Sequence, residues 1–145
     1  APSQLTFDID LALSKSNENP VYYIQYAHAR ICSVMEKAKI EIPDWEVRDG
    51  VHNLERLTEQ EELRLALTLS KYPEVVRSAT QKLEPHMIAN YLKELAADFH
   101  SFYNAHKMMD DDKALATARL ALAGASQIVI ANGLMLLGVS APKAM

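Results

Sequence analysis

Apolar positions recur along most of the chain at the three- and four-residue spacing of helices buried on one face. Ile24, Ala27, Ile31, Val34 and Ala38 form the first stripe. Pro20 suits the first turn of a helix, with Asn19 as its cap, so the pattern predicts a helix from Pro20 to about Lys39. The stretch from Ile40 to Leu57 holds Pro43, Trp45, Gly50 and Asn53 and shows no clear period. A connection that long is unusual and leaves room for a short helix. Thr58-Glu59-Gln60-Glu61 reads as a capping box with threonine as cap, followed by Leu63, Ala66, Leu67 and Ser70 as far as Tyr72. Pro73 restarts a helix to about Leu83. Pro85 opens another, with Ile88, Leu92, Leu95, Phe99 and Phe102 aligned. Asp110, Asp111 and Asp112 sit where a helix N-terminus favours acids. The last helix, about Lys113 to Leu137, carries Leu115, Leu122, Ala125, Val129 and Leu136, and Gly138 terminates it.

One segment has a different period. Leu5, Phe7, Ile9 and Leu11 alternate with Thr6, Asp8 and Asp10, the pattern of a strand. No second strand of similar quality follows, so its partner is expected outside this chain, which then reads as a piece beginning at a domain edge. An orphan edge can also pair copies with each other. The predicted fold class is all-α, an antiparallel bundle of four or five helices with a short N-terminal extended segment. Gly124 and Gly133 fall inside the last helix at a cost of roughly 1 kcal/mol each in propensity, which implies close approach of another helix or of a ligand.

Composition narrows the class. The 145 residues make one domain's length, and 49% hydrophobic with 23% charged residues is a globular balance. The single cysteine, Cys32, excludes a disulfide framework and a cysteine-based zinc site. No apolar run approaches the roughly 20 residues of a membrane span, so no membrane partner and a cytoplasmic location are expected. The net charge of −4 does not announce general nucleic-acid affinity. Charge is uneven, however. Glu41 to Glu62 carries eight acids against Arg48 and Arg56, whereas Leu63 to Leu83 sets Arg64, Lys71, Arg77 and Lys82 against Glu74 alone. The plain reading of that basic run is a solvated helix face.

Catalytic signatures are missing. There is no Gly-rich phosphate loop, no G-x-S-x-G and no H-E-x-x-H. His28, His52, His86, His100 and His106 include no pair at the i+4 spacing that puts two ligands on one helix face, so no metal site is expected. Cys32 reads as a packed thiol. Asp98 and His100 are two apart on a helix and point in different directions. Asp110 to Asp112 are explained by helix capping. No catalytic residue is therefore assigned.

The informative stretch is Tyr22-Tyr23-Ile24-Gln25-Tyr26-Ala27-His28-Ala29-Arg30. Tyr22, Tyr26 and Arg30 are spaced by four and share a face distinct from the Ile24, Ala27, Ile31 stripe. Aromatic rings and guanidinium planes stack on unpaired bases, and their polar ends bond base edges. The same face also suits packing at the core margin, or docking of another protein by a helical interaction module.

The run from Asn19 to Arg30, NPVYYIQYAHAR, closely resembles the motif that opens the anticodon-binding domain of arginyl-tRNA synthetases. Phe7-Asp8-Ile9-Asp10-Leu11-Ala12 looks like the end of that family's catalytic domain. Ala116-Thr117-Ala118-Arg119-Leu120-Ala121-Leu122 and Asn132-Gly133-Leu134-Met135-Leu136-Leu137-Gly138-Val139 resemble its last helix, and the family commonly stops on methionine. The resemblance implies residues 1–18 as a catalytic-domain end and linker, and 19–145 as the anticodon-binding domain. It implies an all-helical fold and the anticodon loop of an arginine tRNA as partner. The remainder of the enzyme, joining arginine to tRNA through ATP with Mg, would be the other partner, in a monomer. The class I signatures, of the His-x-Gly-His and Lys-Met-Ser-Lys types, do not occur here, so no cofactor is expected in this part.

Carried over by position, the resemblance makes Tyr22, Tyr26, Arg30, Tyr103, Asn132, Gly133 and Met145 candidate anticodon-binding residues. Tyr26 and Arg30 would stack on or bond loop bases. Tyr103 matches an aromatic position, and Met145 with its carboxylate would close the pocket. Asn132 and Gly133 would let the loop or the tail approach the last helix. The pattern departs at Ala144, where the family often has arginine, so that any role of that arginine is lost or passes to Lys143. Lys107 stands where some relatives keep an aromatic.

Overall fold

The computed structural model describes residues 8–145, and among them every regular element is helical. Seven α-helices follow in order: α1 (Ile9–Leu13), α2 (Pro20–Glu41), α3 (Val47–Val51), α4 (Gln60–Ser70), α5 (Tyr72–Lys82), α6 (His86–Ala105) and α7 (Lys113–Leu136), with a 3-10 turn at Leu54–Arg56. The period-2 reading fails at Ile9 and Leu11. They lie in α1, capped by Asp8, whose carboxylate accepts from the Leu11 N–H at 3.1 Å. Ile9 is 63% exposed, so its apolar character reports no buried sheet face. Leu5 and Phe7 lie outside the described residues.

Asn19 joins this segment to the bundle. Its side-chain oxygen accepts from the Val21 and Tyr22 N–H groups at the start of α2, while its amide donates to the Ala12 and Ser14 carbonyls, each at 3.0 Å. One buried side chain thus satisfies donors of one helix and acceptors of the preceding turn.

The core lies where α2, α6 and α7 meet. Ile24, Ala27 and Ile31 of α2 pack with Leu92, Leu95, Phe99 and Phe102 of α6 and with Leu120, Ile130 and Leu134 of α7. The α6 stripe is buried as its spacing predicts. α7 contacts α2, α3, α4 and α6 and buries residues around much of its circumference. For that reason its predicted stripe is only partly right: Leu122 is buried, but Ala125 and Leu136 are exposed. Contrary to expectation, α7 is long and apolar enough to cross a membrane by length and composition alone. Half of its most apolar window is nonetheless buried in the bundle, as in the central helix of a packed domain.

α4 departs from prediction by one residue. Its cap is Glu59, not Thr58, and the box is closed by Glu62, whose carboxylate accepts from the Glu59 N–H at 2.9 Å. The buried residues are Glu62, Leu65 and Thr68, so Leu63 and Leu67 are more than half exposed. The unpatterned connection holds α3, as room for a short helix allowed. Gly138, at φ +72°, ends α7 in the left-handed conformation. The Val139 N–H bonds the Leu134 carbonyl and the Gly138 N–H the Met135 carbonyl, closing the helix end.

Candidate nucleic-acid interface

The four-residue spacing on α2 builds an aromatic ladder. The Tyr22 and Tyr26 rings are stacked, with centroids 6.4 Å apart and planes 14° from parallel. One turn on, the Arg30 guanidinium carbon lies 4.9 Å from the Tyr26 ring centre. On its other neighbour, Tyr103 of α6, it lies 4.5 Å from the ring centre. Three of the residues singled out from α2 and the one from α6 thus meet in one cluster. Here cation–π contact, worth about 0.5–2 kcal/mol per pair, orders a charged group between two rings.

Arg30 is held further by polar contacts. One terminal nitrogen, Nη2, donates to the Tyr26 hydroxyl at 2.9 Å, and the other, Nη1, lies 3.1 Å from Nδ1 of His100. Among the described residues no carboxylate pairs with it. Burial, and then the charge of Arg30, pulls the His100 imidazole down to about 4, so it is neutral at neutral pH. Burial also raises the Tyr23 phenol above its ordinary value, which leaves that hydroxyl a donor.

Two clefts open on either side of the Tyr26–Arg30 ridge. The first, of 640 Å³, is bordered by Lys15, Tyr22, Tyr23, His100 and Asn104. The second, of 410 Å³, is bordered by Ser33, Lys37, Tyr103, Ala144 and Met145. No aspartate or glutamate side chain lines either cleft, although the chain as a whole is acidic at −4. The charged side chains that border them, Lys15, Arg30 and Lys37, are all cationic, and they stand beside the aromatic faces.

The C-terminal tail is strapped along α2. The Gln25 side chain donates to the Ser140 carbonyl at 2.9 Å, and His28 Nδ1 donates to the Pro142 carbonyl at 2.8 Å. These bonds bring half-exposed Met145 beside Tyr22, Gln25 and Tyr26. Ala144 borders the second cleft, where Arg30 and Lys37, and not Lys143, supply the positive charge. Lys107 donates no aromatic face here. Its carbonyl accepts from Arg119 and its ammonium pairs with Asp111.

Asn132 and Gly133 stand apart from this cluster. Asn132 accepts a hydrogen bond from the Tyr72 hydroxyl of α5. Gly133 lies against Leu92 of α6, whose terminal carbons would stand 2.6 and 2.8 Å from an added Cβ. Its glycine is thus accounted for by helix packing, one of the two causes the sequence suggested. Asp98 and His100 diverge as expected, Asp98 accepting from the Thr68 hydroxyl at 2.6 Å. Sequence reasoning missed Gln25, His28, Lys37, His100 and Asn104 as contributors. Gln25 and His28 lie within the quoted motif, but their partners lie more than a hundred residues away.

A cationic, aromatic cluster on an all-helical scaffold is a surface on which unpaired bases can stack, the equipment of a helical nucleic-acid-binding domain. Residues 24–145 match the family described as "DALR anticodon binding domain", and the chain belongs to that family. It is 51% identical over 141 residues to an arginine–tRNA ligase of Coxiella burnetii and 52% identical over 141 residues to one of Thioalkalivibrio sulfidiphilus. Each match covers 97% of this chain but 24% of the relative. The structure superposes on Thermus thermophilus arginyl-tRNA synthetase with a TM-score of 0.81 at 35% identity, covering 99% of this chain and 24% of that one. The chain therefore spans about a quarter of the length of the relatives it matches.

Proposed function

We propose that this chain binds the anticodon loop of an arginine tRNA and that Tyr22, Tyr26, Arg30, Tyr103 and Met145 hold unstacked bases. The observation that carries this reading is Arg30, set between two tyrosine rings at the mouth of two clefts without acidic side chains. The Tyr22 ring and the half-exposed Met145 side chain offer apolar faces for bases. The Arg30 donors left free by Tyr26 and His100 suit base-edge acceptors or phosphate. In this reading arginine activation, with ATP and Mg, belongs to the rest of a longer ligase, and this domain supplies grip and orientation.

The alternative, a protein-docking module, has its best surface elsewhere. An apolar groove between α3, α4 and α7 is lined by Val47, Val51, Leu63 and Ile128, and it lacks the cations and aromatic rings of the α2 cluster.

Fluorescence anisotropy with labelled arginine tRNA, beside a transcript altered only in the anticodon, tests the proposal. Tyr26→Ala should weaken cognate binding about tenfold, because one base–aromatic stack is worth about 1–3 kcal/mol. Removal of Met145 should weaken it less. The cognate preference should survive added salt, which erases phosphate contacts first. Unchanged affinity in both folded variants overturns the assigned pocket.

A further inference from the structure

His100 has a contradiction built into its surroundings. It is 8% exposed, and its Nε2 is buried with no hydrogen-bond partner. An orphaned buried polar atom calls for a reason, because it forfeits its bond to water. The other ring nitrogen supplies one. Nδ1 lies 3.1 Å from Nη1 of Arg30, which can only donate. Nδ1 must then accept, so the ring proton sits on Nε2, where nothing receives it. The opposite tautomer would satisfy neither group and set two donors against each other.

The ring is also held from turning. The Tyr23, Tyr26 and Phe99 rings surround it at centroid distances of 5.1, 5.7 and 6.0 Å. His100 lies on α6, whereas Arg30 lies on α2, so the bond ties the guanidinium to a second helix. Tyr26 receives the other terminal nitrogen. With both ends fixed, the plane is set, and the remaining three of its five N–H groups have defined directions.

We propose that His100 is a positioning residue for Arg30: as an Nδ1 acceptor on α6 it fixes the guanidinium plane, so that the free Arg30 donors meet the bound nucleic acid in one orientation. This deepens the tRNA-binding reading and rests on it for the nature of the ligand. Burial keeps the imidazole neutral, the state in which it can accept. If His100 served packing alone, a phenylalanine would fill the site equally well and remove an unpaired polar atom.

The test compares the unmodified chain with His100→Phe and His100→Asn. Asparagine places an amide oxygen near the Nδ1 position, whereas phenylalanine fills the space without an acceptor. In the unmodified chain, NMR of the imidazole nitrogens at neutral pH should find His100 protonated on Nε2 alone. A proton on Nδ1 overturns the proposal, and this measurement needs no variant to fold. The Arg30 guanidinium protons should be individually resolved in the unmodified chain and in His100→Asn, and averaged in His100→Phe.

The preference for arginine tRNA over the anticodon-altered transcript should fall about tenfold in His100→Phe, as for loss of a charge-assisted bond, and recover in His100→Asn. The thermal midpoint of His100→Phe should be no lower than that of the unmodified chain. Full preference in a folded His100→Phe overturns the proposal. Absence of any preference in the unmodified chain overturns the tRNA reading instead, while the NMR signals still decide whether His100 positions Arg30.

Discussion

Arg119→Met is expected to destabilise the fold by about 3–5 kcal/mol, read as a lowered urea midpoint with an unchanged slope. Arg119 lies in α7 with its side chain 6% exposed, and its Nε donates to Glu62 at 2.8 Å. The Glu62 side chain is fully buried. Methionine keeps the aliphatic stem but removes the cation, leaving a carboxylate in the core with the Glu59 N–H as its remaining recorded donor. Uncompensated buried charge is the costly outcome, far more than loss of an exposed pair such as Lys39–Glu36. Arg119 also donates to the Lys107 carbonyl at 3.0 Å and lies 3.6 Å from Asp110. Its loss therefore loosens the α6–α7 connection as well. The double variant Arg119→Met, Glu62→Leu should recover part of the loss, since no buried charge is then stranded. It should not recover all of it, because Glu62 also closes the α4 capping box. A double variant as unstable as Arg119→Met would show that the stranded Glu62 carboxylate is not the source of the loss.

That same pair explains why α4 was misread. Helix faces are inferred from apolar spacing, and the inner face of α4 carries Glu62 and Thr68 among its buried residues. Glu62 is neutralised by Arg119 across 57 residues, and Thr68 bonds Asp98 of α6 and, through its carbonyl, the Tyr91 hydroxyl. None of these partners is visible from local pattern. Leu63 and Leu67 then suggested a face rotated by one residue, about 100°. α6 posed less difficulty, because Ile88, Leu92, Leu95, Phe99 and Phe102 form an apolar buried stripe, with His100 the one basic exception among its buried residues.

The functional cluster divides along the same line. Tyr22, Tyr26 and Arg30 were legible because they share one helix at regular spacing, and their stacking is local. Tyr103 was carried by resemblance alone, and the structure brings it to 4.5 Å from Arg30. His100, Gln25 and His28 act through contacts spanning 70 to 115 residues, which no spacing rule encodes. Asn132 and Gly133 were equally near in motif terms, yet helix packing turns them toward Tyr72 and Leu92.

The second large effect is expected at Gly50, which the sequence offered only as an irregular residue. In an exposed helix, alanine in place of glycine gains about 0.5–1 kcal/mol. At Gly50 the sign reverses. Gly50 is buried in α3 against α7, and an added Cβ would lie 2.3 Å from the Thr117 carbonyl oxygen and 2.4 Å from the Ala121 Cβ. Neither atom can rotate away, since one is backbone and the other is the first carbon of its side chain. α3 must lift from α7, and overpacking of that kind costs about 3 kcal/mol, the upper end of its usual range. Gly50→Ala should therefore lose about 2 kcal/mol net, lowering the thermal midpoint by several degrees. Gly124→Ala supplies the contrast on α7. Its nearest obstacle is the terminal methyl of Met35 at 3.3 Å, the far end of a flexible side chain. There the propensity gain should win, and the midpoint should hold or rise. Equal losses at both positions would mean that backbone proximity does not decide the cost. A loss confined to Gly50 would mean that the rigid contact between α3, which the apolar pattern did not resolve, and α7, which it did, sets the cost.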